Sequence, residues 1–517
     1  LGLRTAEVLR ERKDEVAAWV VHEGGRNWQE AQADAEEAID HITWNALEVR
    51  RLAPLIKTSY RPRGVVACIP PWNFPSALPA AMTSAALLTG NTVILKSAEQ
   101  TPIVAQALVD AFHAAGVPEE ALIHLPGPGE TVGARLVERP DVDMVDFTGS
   151  KQVGLQIYRT AASVIPSKGG IKQAVTEMGG KNAIIVFPDA DMDEAVLGIL
   201  HSAFGHAGQK CSACSRVLAH REVYDRLATR LVEAARSLPV GPADDPGTVI
   251  NPVIGAEARE GIVAAAEAAR EEGRVLLDAL RCDEESDTCL GPLIMEVAAS
   301  DALTAKVAQE EIFGPVLPLI PFQTEDEAVS IGNSTVYGLT LGIYSRSPDT
   351  IARMMRTCRA GNIYVNRGIT GSRVGIEPFG GFQLSGTGPK TGGEEYLLAF
   401  LTRQSGFRSE PENGQRSFEN WSDHNGTPAE ALSGLSPWDT ASAAEWLQRL
   451  TDAAKELEQN RQTLAQAIAA WKAASPEEAA SLVERMLEVV STVLAGAPEI
   501  SGPQPAVEIP GQTNFVR

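Results

Sequence analysis

Residues 64–96, GVVACIPPWNFPSALPAAMTSAALLTGNTVILK, decide the fold class of this chain. The apolar run 64–69 predicts a short buried strand, and the prolines at 70, 71 and 75 exclude a helix from the loop that follows. Small residues from about 78 to 88 predict a helix, and residues 91–96 predict a second strand. A strand, a helix and a strand in this order indicate a right-handed βαβ unit in a parallel sheet.

The same alternation extends outward from this unit. Upstream, residues 1–51 predict two amphipathic helices that meet near Gly24-Gly25. The predicted buried face of the second helix carries Ala35, Ile39, Ile42 and Leu47. Downstream, strands separated by helices are predicted at residues 123–125, 142–147, 183–187, 216–219, 316–320, 339–344 and 361–365. We therefore expect an α/β protein with two doubly wound units.

Composition limits the classes of function. The chain has 517 residues and a formal net charge of −22, which argues against nucleic acid or an anionic membrane surface as a partner. The sequence has no apolar run long enough to span a bilayer and no visible signal peptide. Of the six cysteines, Cys211 and Cys214 lie close together, but no second pair of zinc ligands lies nearby. We expect a reduced, cytoplasmic protein without a bound metal.

The candidate nucleophile lies in the stretch Gly208-Gln209-Lys210-Cys211-Ser212-Ala213-Cys214-Ser215-Arg216. Cys211 stands between a Gly-Gln turn and a run of small residues, where a thiol could attack a substrate. Because a free thiol has a pKa of about 8.5, it needs a base near neutral pH, and Glu177 could serve as one. The loop alone is more typical of a structural cysteine, so the case for catalysis depends on the other motifs.

A candidate phosphate site follows the strand predicted at 142–147. This strand ends in Thr148-Gly149-Ser150, directly before a predicted helix whose free N–H groups and dipole suit an anion. Lys96 falls at the carboxyl end of another strand of the same sheet, where ligands bind in open α/β folds. The usual G-x-G-x-x-G motif is absent here, and an ordinary helix cap at Ser150 remains an alternative.

Seven motifs in order carry a resemblance to a known family. They are Pro71-Trp72-Asn73-Phe74, Lys96-Ser97-Ala98-Glu99, Phe147-Thr148-Gly149-Ser150, Glu177-Met178-Gly179-Gly180-Lys181, Gly208-Gln209-Lys210-Cys211, Glu311-Ile312-Phe313-Gly314-Pro315 and Pro378-Phe379-Gly380-Gly381. Together they resemble the NAD(P)-dependent aldehyde dehydrogenase superfamily over about residues 1–403. Residues 208–216, 370–381 and 385–390 are most similar to the members that oxidise L-glutamate γ-semialdehyde, in the version joined to a flavin-dependent proline dehydrogenase.

This resemblance implies two Rossmann-type domains, a small oligomerisation flap and a C-terminal helical extension. The implied boundaries are a dinucleotide-binding domain at 1–178, truncated at its N-terminus, a catalytic domain at 179–365, an anchor loop and flap at 366–403, and a linker with helices at 404–517. Within the last part, Leu450, Leu457, Leu464 and Trp471 form a predicted coiled-coil-like stripe, and Ser475 begins a predicted capping box.

The resemblance also implies the chemistry. Cys211 would attack the aldehyde, Asn73 and the Cys211 N–H would hold the oxyanion, and Glu177 would activate water against the thioester. The cofactor would contact Ile69, Pro70, Lys96, Glu99, Gly149, Ser150, Glu311 and Phe313. An acid at Glu99 would repel a 2′-phosphate, which favours NAD over NADP.

The implied substrate carries an α-carboxylate and an amine. Ser212 and the Gly371-Ser372 pair would hold the carboxylate, Phe74 and Phe379 would sandwich the aliphatic part, and Glu37 would meet the amine. The family's N-terminal residues are absent and the chain opens at Leu1, so we expect a fragment with a proline dehydrogenase domain upstream, and a homo-oligomer. Two alternatives remain open: an aldehyde dehydrogenase for another aldehyde, and a catalytically silent scaffold.

Overall fold

The computed structural model describes residues 1–280, 288–403, 455, 505–509 and 512–516. The chain divides into two units, residues 1–405 with 505–517 and residues 406–504, and every element given below belongs to the first. Its α-helices are α1 Gly2–Glu11, α2 Lys13–Gly24, α3 Trp28–Ser59, α4 Ala77–Leu88, α5 Pro102–Ala114, α6 Ala134–Glu138, α7 Lys151–Ser163, α8 Met192–Phe204, α9 Arg221–Arg236, α10 Ala256–Arg270, α11 Lys306–Gln309, α12 Glu325–Gly332, α13 Pro348–Thr357 and α14 Glu394–Ala399.

The strands alternate with these helices. They are β1 Tyr60–Pro62, β2 Val65–Ile69, β3 Thr92–Leu95, β4 Leu122–His124, β5 Met144–Thr148, β6 Gln173–Glu177, β7 Asn182–Val186, β8 Cys214–His220, β9 Arg274–Asp278, β10 Leu293–Glu296, β11 Val316–Phe322, β12 Tyr337–Gly338, β13 Thr340–Tyr344, β14 Asn362–Val365, β15 Phe382–Gln383, β16 Leu401–Arg403, β17 Pro505–Ile509 and β18 Gln512–Val516.

The first sheet has the order β4-β3-β2-β5-β6, and its described pairs are all parallel. The βαβ unit predicted from residues 64–96 is confirmed, since β2 pairs with β3 from Val65↔Thr92 to Cys68↔Leu95. Four of the five β2 residues are buried, as expected for a central parallel strand covered on both faces. The carboxyl ends of β2, β3 and β5 therefore open onto one edge, where the dinucleotide motifs were expected.

The N-terminal region differs from the prediction. Residues 1–59 form three helices rather than two, because the chain breaks between α1 and α2 at Arg12, whose φ of −103° and ψ of 12° are not helical. The long helix α3 continues to Ser59, through Pro54, instead of ending near Arg51. Leu47 was placed on the buried face but is 44% exposed, whereas Ala35, Ile39 and Ile42 are buried.

The second sheet has the order β17-β18-β14-β13-β7-β8-β11-β10-β9. From β14 to β10 the neighbouring strands are parallel, which confirms the second doubly wound unit. The edge strand β9 is antiparallel to β10, and neither was predicted. Toward the other edge β18 runs antiparallel to β14, with Asn362 opposite Val516, and the edge strand β17 runs antiparallel to β18.

The glycine-rich segment 366–390 follows β14 in sequence and contacts both sheets, through Glu177 of β6 and Asn362 of β14. Gly386 forms an isolated antiparallel bridge with Glu177 at the end of β6, and Phe379 forms another with Thr391. The short strand β15 within it pairs with β12. The segment is thus ordered, as its interleaved apolar residues indicated, and it lies against the candidate base.

Several predictions lie outside the described residues: the linker near 408–427, the leucine stripe from Leu450 and the capping box at Ser475. The domain boundaries likewise stay a prediction. Within the part of the chain that the structure describes, none of the helices combines the length and apolar character that a bilayer crossing needs.

Candidate active site

The loop that carries Cys211 begins with an unusual turn after α8. The 3-10 turn Gly205–Gly208 contains His206 and Ala207 at φ of 52° and 53°, and Gly208 follows at 73°. A Cβ on Gly208 would lie 2.5 Å from the carbonyl oxygen of Gly314 and 3.0 Å from that of Ala203. Glycine is therefore required here by both conformation and space, and the turn directs the chain toward Cys211.

Asn182, the first residue of β7, fixes the far side of this loop. Its side-chain nitrogen donates to the carbonyl oxygens of Cys211 at 2.7 Å and Ala213 at 2.9 Å. Its side-chain oxygen accepts the N–H of Thr340 at 3.0 Å. Because Asn182 is 3% exposed, these bonds are shielded from water and hold the nucleophile loop against two strands of the sheet.

The Cys211 thiol is partly exposed, whereas Cys214 is buried in β8. Burial raises the pKa of Cys211 to about 12, and the negative charges of Glu311 and Glu177 act in the same direction. The resting thiol is therefore protonated at neutral pH and must lose its proton as it reacts. None of the described cysteines forms a disulfide.

Asn73 lies beside this loop, as predicted. It is 5% exposed, and its side-chain nitrogen donates to the carbonyl oxygen of Gln209 at 2.9 Å. The second hydrogen on that nitrogen is available for an oxygen that develops negative charge near Cys211. The structure thus brings the predicted oxyanion donor and the predicted nucleophile loop together.

Glu177 ends β6 and is enclosed by backbone of the glycine-rich segment. One carboxyl oxygen accepts the N–H of Gly381 at 3.3 Å, and the other has no hydrogen-bond partner among the described residues. Burial raises the pKa of Glu177 well above its usual value. A carboxyl group with a raised pKa and a free oxygen is suited to take a proton from water.

Ser385 fixes the turn that follows Glu177. Its carbonyl oxygen accepts the N–H of Met178 at 2.7 Å, and its hydroxyl donates to the carbonyl oxygen of Gly179 at 2.7 Å. Ser385 is fully buried. These bonds join the glycine-rich segment to the strand that presents Glu177.

A cavity of about 470 Å³ opens at the carboxyl ends of β2, β3 and β5. Its wall includes six predicted cofactor contacts: Ile69, Pro70, Lys96, Glu99, Gly149 and Ser150. The Lys96 ammonium lies 3.1 Å from a Glu99 carboxylate oxygen. Burial alone would raise the pKa of Glu99, but backbone N–H donors and the ammonium of Lys96 lower it, so Glu99 stays ionised.

The start of α7, where the sequence predicts a phosphate site, lines one part of this cavity. The Ser150 hydroxyl accepts the N–H of Val153 at 3.3 Å, so Ser150 is a helix cap as well as a cavity residue. A Cβ on Gly149 would lie 2.5 Å from the nearest atom of the Phe147 ring. A residue with a side chain would therefore collide with this ring, so the packing here requires glycine.

Glu311 and Phe313, the other predicted cofactor contacts, line a smaller cleft with Gly180, Lys210 and Cys214. One Glu311 oxygen accepts the N–H of Gly180 at 2.9 Å. Burial raises the pKa of Glu311 to about 7. Glu311 thus lies against the turn after Glu177, on the nucleophile side of the dinucleotide cavity.

The predicted substrate contacts surround the same loop to differing degrees. Ser212 is buried and its carbonyl oxygen accepts the Thr340 hydroxyl at 3.3 Å, while Phe379 exchanges two backbone hydrogen bonds of 2.8 Å with Thr391. Glu37 lies 3.7 Å from the His41 ring, and its charge acts on buried Lys210. Their roles toward a substrate stay predictions.

The Gly371-Ser372 pair belongs to an open part of the anchor segment. Gly371 has a φ of 74°, and nothing lies within 4 Å of the position of a Cβ there. Its carbonyl oxygen accepts a hydrogen bond of 3.0 Å from Arg367, which also bonds Glu377 at 3.2 Å. The pair is therefore fixed from one side and accessible from the other.

Asn182, Ser385 and Arg26 support the site but were not predicted from the sequence. Ser385 lies inside the stretch 385–390 and Asn182 directly follows the motif that ends at Lys181, yet their residue types give no sign that they bond to the Cys211 and Glu177 loops. Arg26, considered below, is separated from Asn73 by 47 residues. Among the described residues no cluster of three or more potential metal ligands occurs.

Comparison with known proteins gives consistent results. Residues 2–405 match the model of the aldehyde dehydrogenase family. The chain is 41% identical over 409 residues to 1-pyrroline-5-carboxylate dehydrogenase of Geobacillus kaustophilus, covering 77% of this chain and 78% of that protein. It is 40% identical over 410 residues to 1-pyrroline-5-carboxylate dehydrogenase 1 of Halalkalibacterium halodurans, with 77% and 79% covered.

Solved structures show the same relationship. The NAD-bound 1-pyrroline-5-carboxylate dehydrogenase from Thermus superposes with a TM-score of 0.75 at 41% identity, covering 78% of this chain and 79% of that chain. Proline utilization A from Bdellovibrio bacteriovorus gives a TM-score of 0.74 at 41% identity, covering 78% of this chain but 43% of that longer one.

Proposed function

Because this chain belongs to the aldehyde dehydrogenase family, we propose that it oxidises L-glutamate γ-semialdehyde, the open form of 1-pyrroline-5-carboxylate, to L-glutamate with NAD. The hydrogen bond from Asn73 to Gln209 carries the proposal, since it puts an amide donor beside the loop of Cys211. The relatives at 40–41% identity named for this activity support the choice of substrate.

The dinucleotide cavity fits NAD. Its volume of about 470 Å³ lies within the range of small-molecule sites. Lys96 and ionised Glu99 would bind ribose hydroxyls, and the N-terminus of α7 at Ser150 would receive the pyrophosphate. Glu311 and Phe313 would contact the nicotinamide ribose. When bound, the nicotinamide ring accepts the hydride that the substrate carbon releases.

Cys211 begins the reaction. As its sulfur bonds to the aldehyde carbon, the thiol proton passes to solvent and the carbonyl oxygen becomes an oxyanion. The free hydrogen of the Asn73 amide and the backbone N–H of Cys211 stabilise this oxygen, and one such donor is typically worth about 10²–10³ in rate. Loss of hydride from the same carbon restores the C=O bond and leaves a thioester on Cys211.

Glu177 completes the turnover. Its unpartnered oxygen accepts a proton from water as the water oxygen attacks the thioester carbon, and the C–S bond then breaks to release the acid. Overall, one aldehyde, one water and one NAD⁺ give one carboxylate, one NADH and two protons. Ser212 and the Gly371-Ser372 pair would hold the α-carboxylate of the substrate. Phe74 and Phe379 would sandwich its aliphatic part, and Glu37 would meet its amine.

Replacing Cys211 tests the proposal. Cys211→Ala should abolish NADH formation from pyrroline-5-carboxylate while NAD binding by calorimetry persists. Cys214→Ala is the matched control, because Cys214 is a neighbouring buried cysteine with no role in the proposed chemistry. Normal turnover by the Cys211 variant would overturn the mechanism. Equal wild-type rates on simple alkyl aldehydes would instead favour the alternative substrate class, and failure to bind NAD would favour the silent scaffold.

We also propose that the enzyme is a cytoplasmic homo-oligomer whose polypeptide continues upstream into a proline dehydrogenase domain. The likeness to proline utilization A, of which this chain covers 43%, supports this arrangement. Light scattering of the purified protein tests the oligomer, and the reading frame upstream of Leu1 tests the fused domain.

A further inference from the structure

A buried arginine outside the predicted site contacts the oxyanion donor. Arg26 precedes α3, is 1% exposed and donates one guanidinium hydrogen bond of 2.5 Å to the backbone carbonyl oxygen of Asn73. Its guanidinium carbon also lies 4.4 Å from the centre of the Phe74 ring. One side chain therefore contacts both residues of the Asn73-Phe74 pair.

Glu30, one helical turn further on, continues this network to the nucleophile loop. One carboxylate oxygen accepts from Arg26 at 2.8 Å, and the other accepts from the ammonium of Lys210 at 2.6 Å. Lys210 immediately precedes Cys211 in the chain. Burial alone would raise the pKa of Glu30, but the adjacent charges of Lys210 and Arg26 lower it, so the carboxylate stays ionised.

We propose that Arg26 and Glu30 are positioning residues that set the placement of Asn73 relative to the Cys211 loop. This inference rests on the proposed function, for which an oxyanion donor must lie within hydrogen-bond distance of an oxygen next to the reacting sulfur. Neither residue touches a reacting atom. Their effect is geometric, because a displacement of about 1 Å in such a site can reduce the rate by about 10²-fold.

The two carboxylate oxygens of Glu30 make the bridge specific. Arg26 and Lys210 donate to different oxygens of the Glu30 carboxylate, whereas a glutamine in its place would turn an NH2 donor toward one of these two cations. Arginine likewise donates from two nitrogens, to Asn73 and to Glu30, while lysine would keep the charge with a single nitrogen. Conservative substitutions therefore test geometry separately from charge.

The network also has a part in local stability, which any test must separate. The Asp34 carboxylate lies 3.7 Å from Arg26 and accepts the N–H groups of Ser76 at 3.0 Å and Ala77 at 3.4 Å, at the start of α4. Burial already raises the pKa of Asp34 to about 6, and Arg26 opposes that rise. Loss of Arg26 leaves the buried Glu30 and Asp34 carboxyl groups less compensated, so some thermal destabilisation is expected. If Arg26 has only a structural role, its variants should lose thermal stability while kcat stays unchanged.

Steady-state kinetics of three variants test the inference well below their melting temperatures. Arg26→Met should lower kcat by about 10- to 100-fold, with KM for NAD within about twofold of wild type. Arg26→Lys should recover part of the lost kcat. The kcat of Glu30→Gln should lie between those of Arg26→Met and Arg26→Lys. Arg63→Met is the matched control, because Arg63 also donates to a backbone carbonyl, that of Ala399, at 2.5 Å. Unchanged kcat in Arg26→Met would overturn the inference.

A second measurement does not depend on the aldehyde. Acylation of Cys211 by p-nitrophenyl acetate also generates an oxyanion next to this sulfur. The reaction is monitored by the release of nitrophenolate and by mass spectrometry of the acylated protein. Arg26→Met should slow it by a factor similar to the loss in kcat. Equal acylation rates in Arg26→Met and wild type would overturn the positioning role, even if pyrroline-5-carboxylate proves not to be a substrate. Slow acylation of Arg26→Met, together with no aldehyde turnover by wild type, would refute only the proposed function.

Discussion

Glu177 combines burial, a raised pKa and an oxygen without a hydrogen-bond partner among the described residues. A general base acts in its ionised form, so a raised pKa moves the onset of activity to higher pH than for an ordinary carboxyl group. The Cys211 pKa of about 12 acts in the same direction. The rate should therefore rise with pH through the neutral range.

Glu177→Gln should separate the two halves of the reaction. If Glu177 acts on water, this variant still forms one equivalent of NADH rapidly and then turns over about 10²–10⁴-fold more slowly than wild type. Stopped-flow absorbance of NADH measures both phases. Glu233→Gln, at an exposed carboxylate on α9, is the control. A variant with no burst would show instead that Glu177 is needed to activate the thiol.

Glu99→Gln should alter the choice of nucleotide. The ionised carboxylate beside Lys96 disfavours a 2′-phosphate, and its neutral replacement leaves the ammonium free to attract one. We expect kcat/KM for NADP relative to NAD to rise by about 10-fold or more, since each 1.4 kcal/mol of lost repulsion is worth tenfold. Glu130→Gln, which removes another carboxylate from the cavity wall, should leave the ratio near its wild-type value.

At the scale of elements, the turn Gly205–Gly208 places the nucleophile. Its residues 206–208 have positive φ, one residue after α8 ends. Hydrophobic periodicity in the sequence does not predict such a turn. The sequence indicates only that a glycine precedes Gln209. The close approach of Gly208 to the Gly314 carbonyl depends on a segment more than a hundred residues away in the chain.

Gly208→Ala tests this element. Because alanine would be strained at a φ of 73° and would contact the Gly314 carbonyl, we expect destabilisation of about 1–3 kcal/mol and a marked fall in kcat. Gly261→Ala is the control, since Gly261 lies in α10 with nothing within 4 Å of its Cβ position and should gain slightly in stability. Equal unfolding curves for the two variants would contradict this account.

How much the sequence predicts depends on how far apart in the chain the contacting residues lie. The βαβ unit at 64–96 was predictable because apolar runs, prolines and small residues act locally. The strand β6, which presents Glu177, was not predicted, since Gln173-Ala174-Val175-Thr176-Glu177 is short and gains its partner from β5. Motifs in the sequence predict Cys211 as the nucleophile and Glu177 as the base, but Asn182 and Arg26 act through contacts that no local pattern encodes.

At the scale of the whole unit, the bond between Tyr396 and Asp146 joins α14 to the first sheet. Tyr396 lies on α14, after the glycine-rich segment, and donates to the Asp146 carboxylate in β5 at 2.6 Å across 250 residues of sequence. The Tyr396 ring also packs edge-on against Phe400, with centres 5.2 Å apart. This contact thus fixes the segment that encloses Glu177 to the first sheet.

Asp146 should make the stability of this unit depend on pH. Burial raises its pKa from 3.8 to about 7. Since the folded-state pKa exceeds the unfolded value, the protonated form favours folding at low pH, and that stability is lost as pH rises from about 4 through about 7. At about 1.4 kcal/mol per pKa unit, the loss is at most a few kcal/mol.

Asp146→Asn removes this titration while keeping an oxygen that can accept from Tyr396. The free energy of unfolding of the variant should therefore rise relative to that of wild type between pH 5 and pH 8, by about a few kcal/mol at most, and its melting temperature should rise accordingly. Asp225→Asn, at an exposed position on α9, should follow wild type at every pH. Because the Asp146 charge also raises the pKa of Glu177, the variant's kcat should begin to rise at lower pH. If the melting temperatures of wild type and Asp146→Asn change in parallel across this pH range, Asp146 does not ionise in the folded protein.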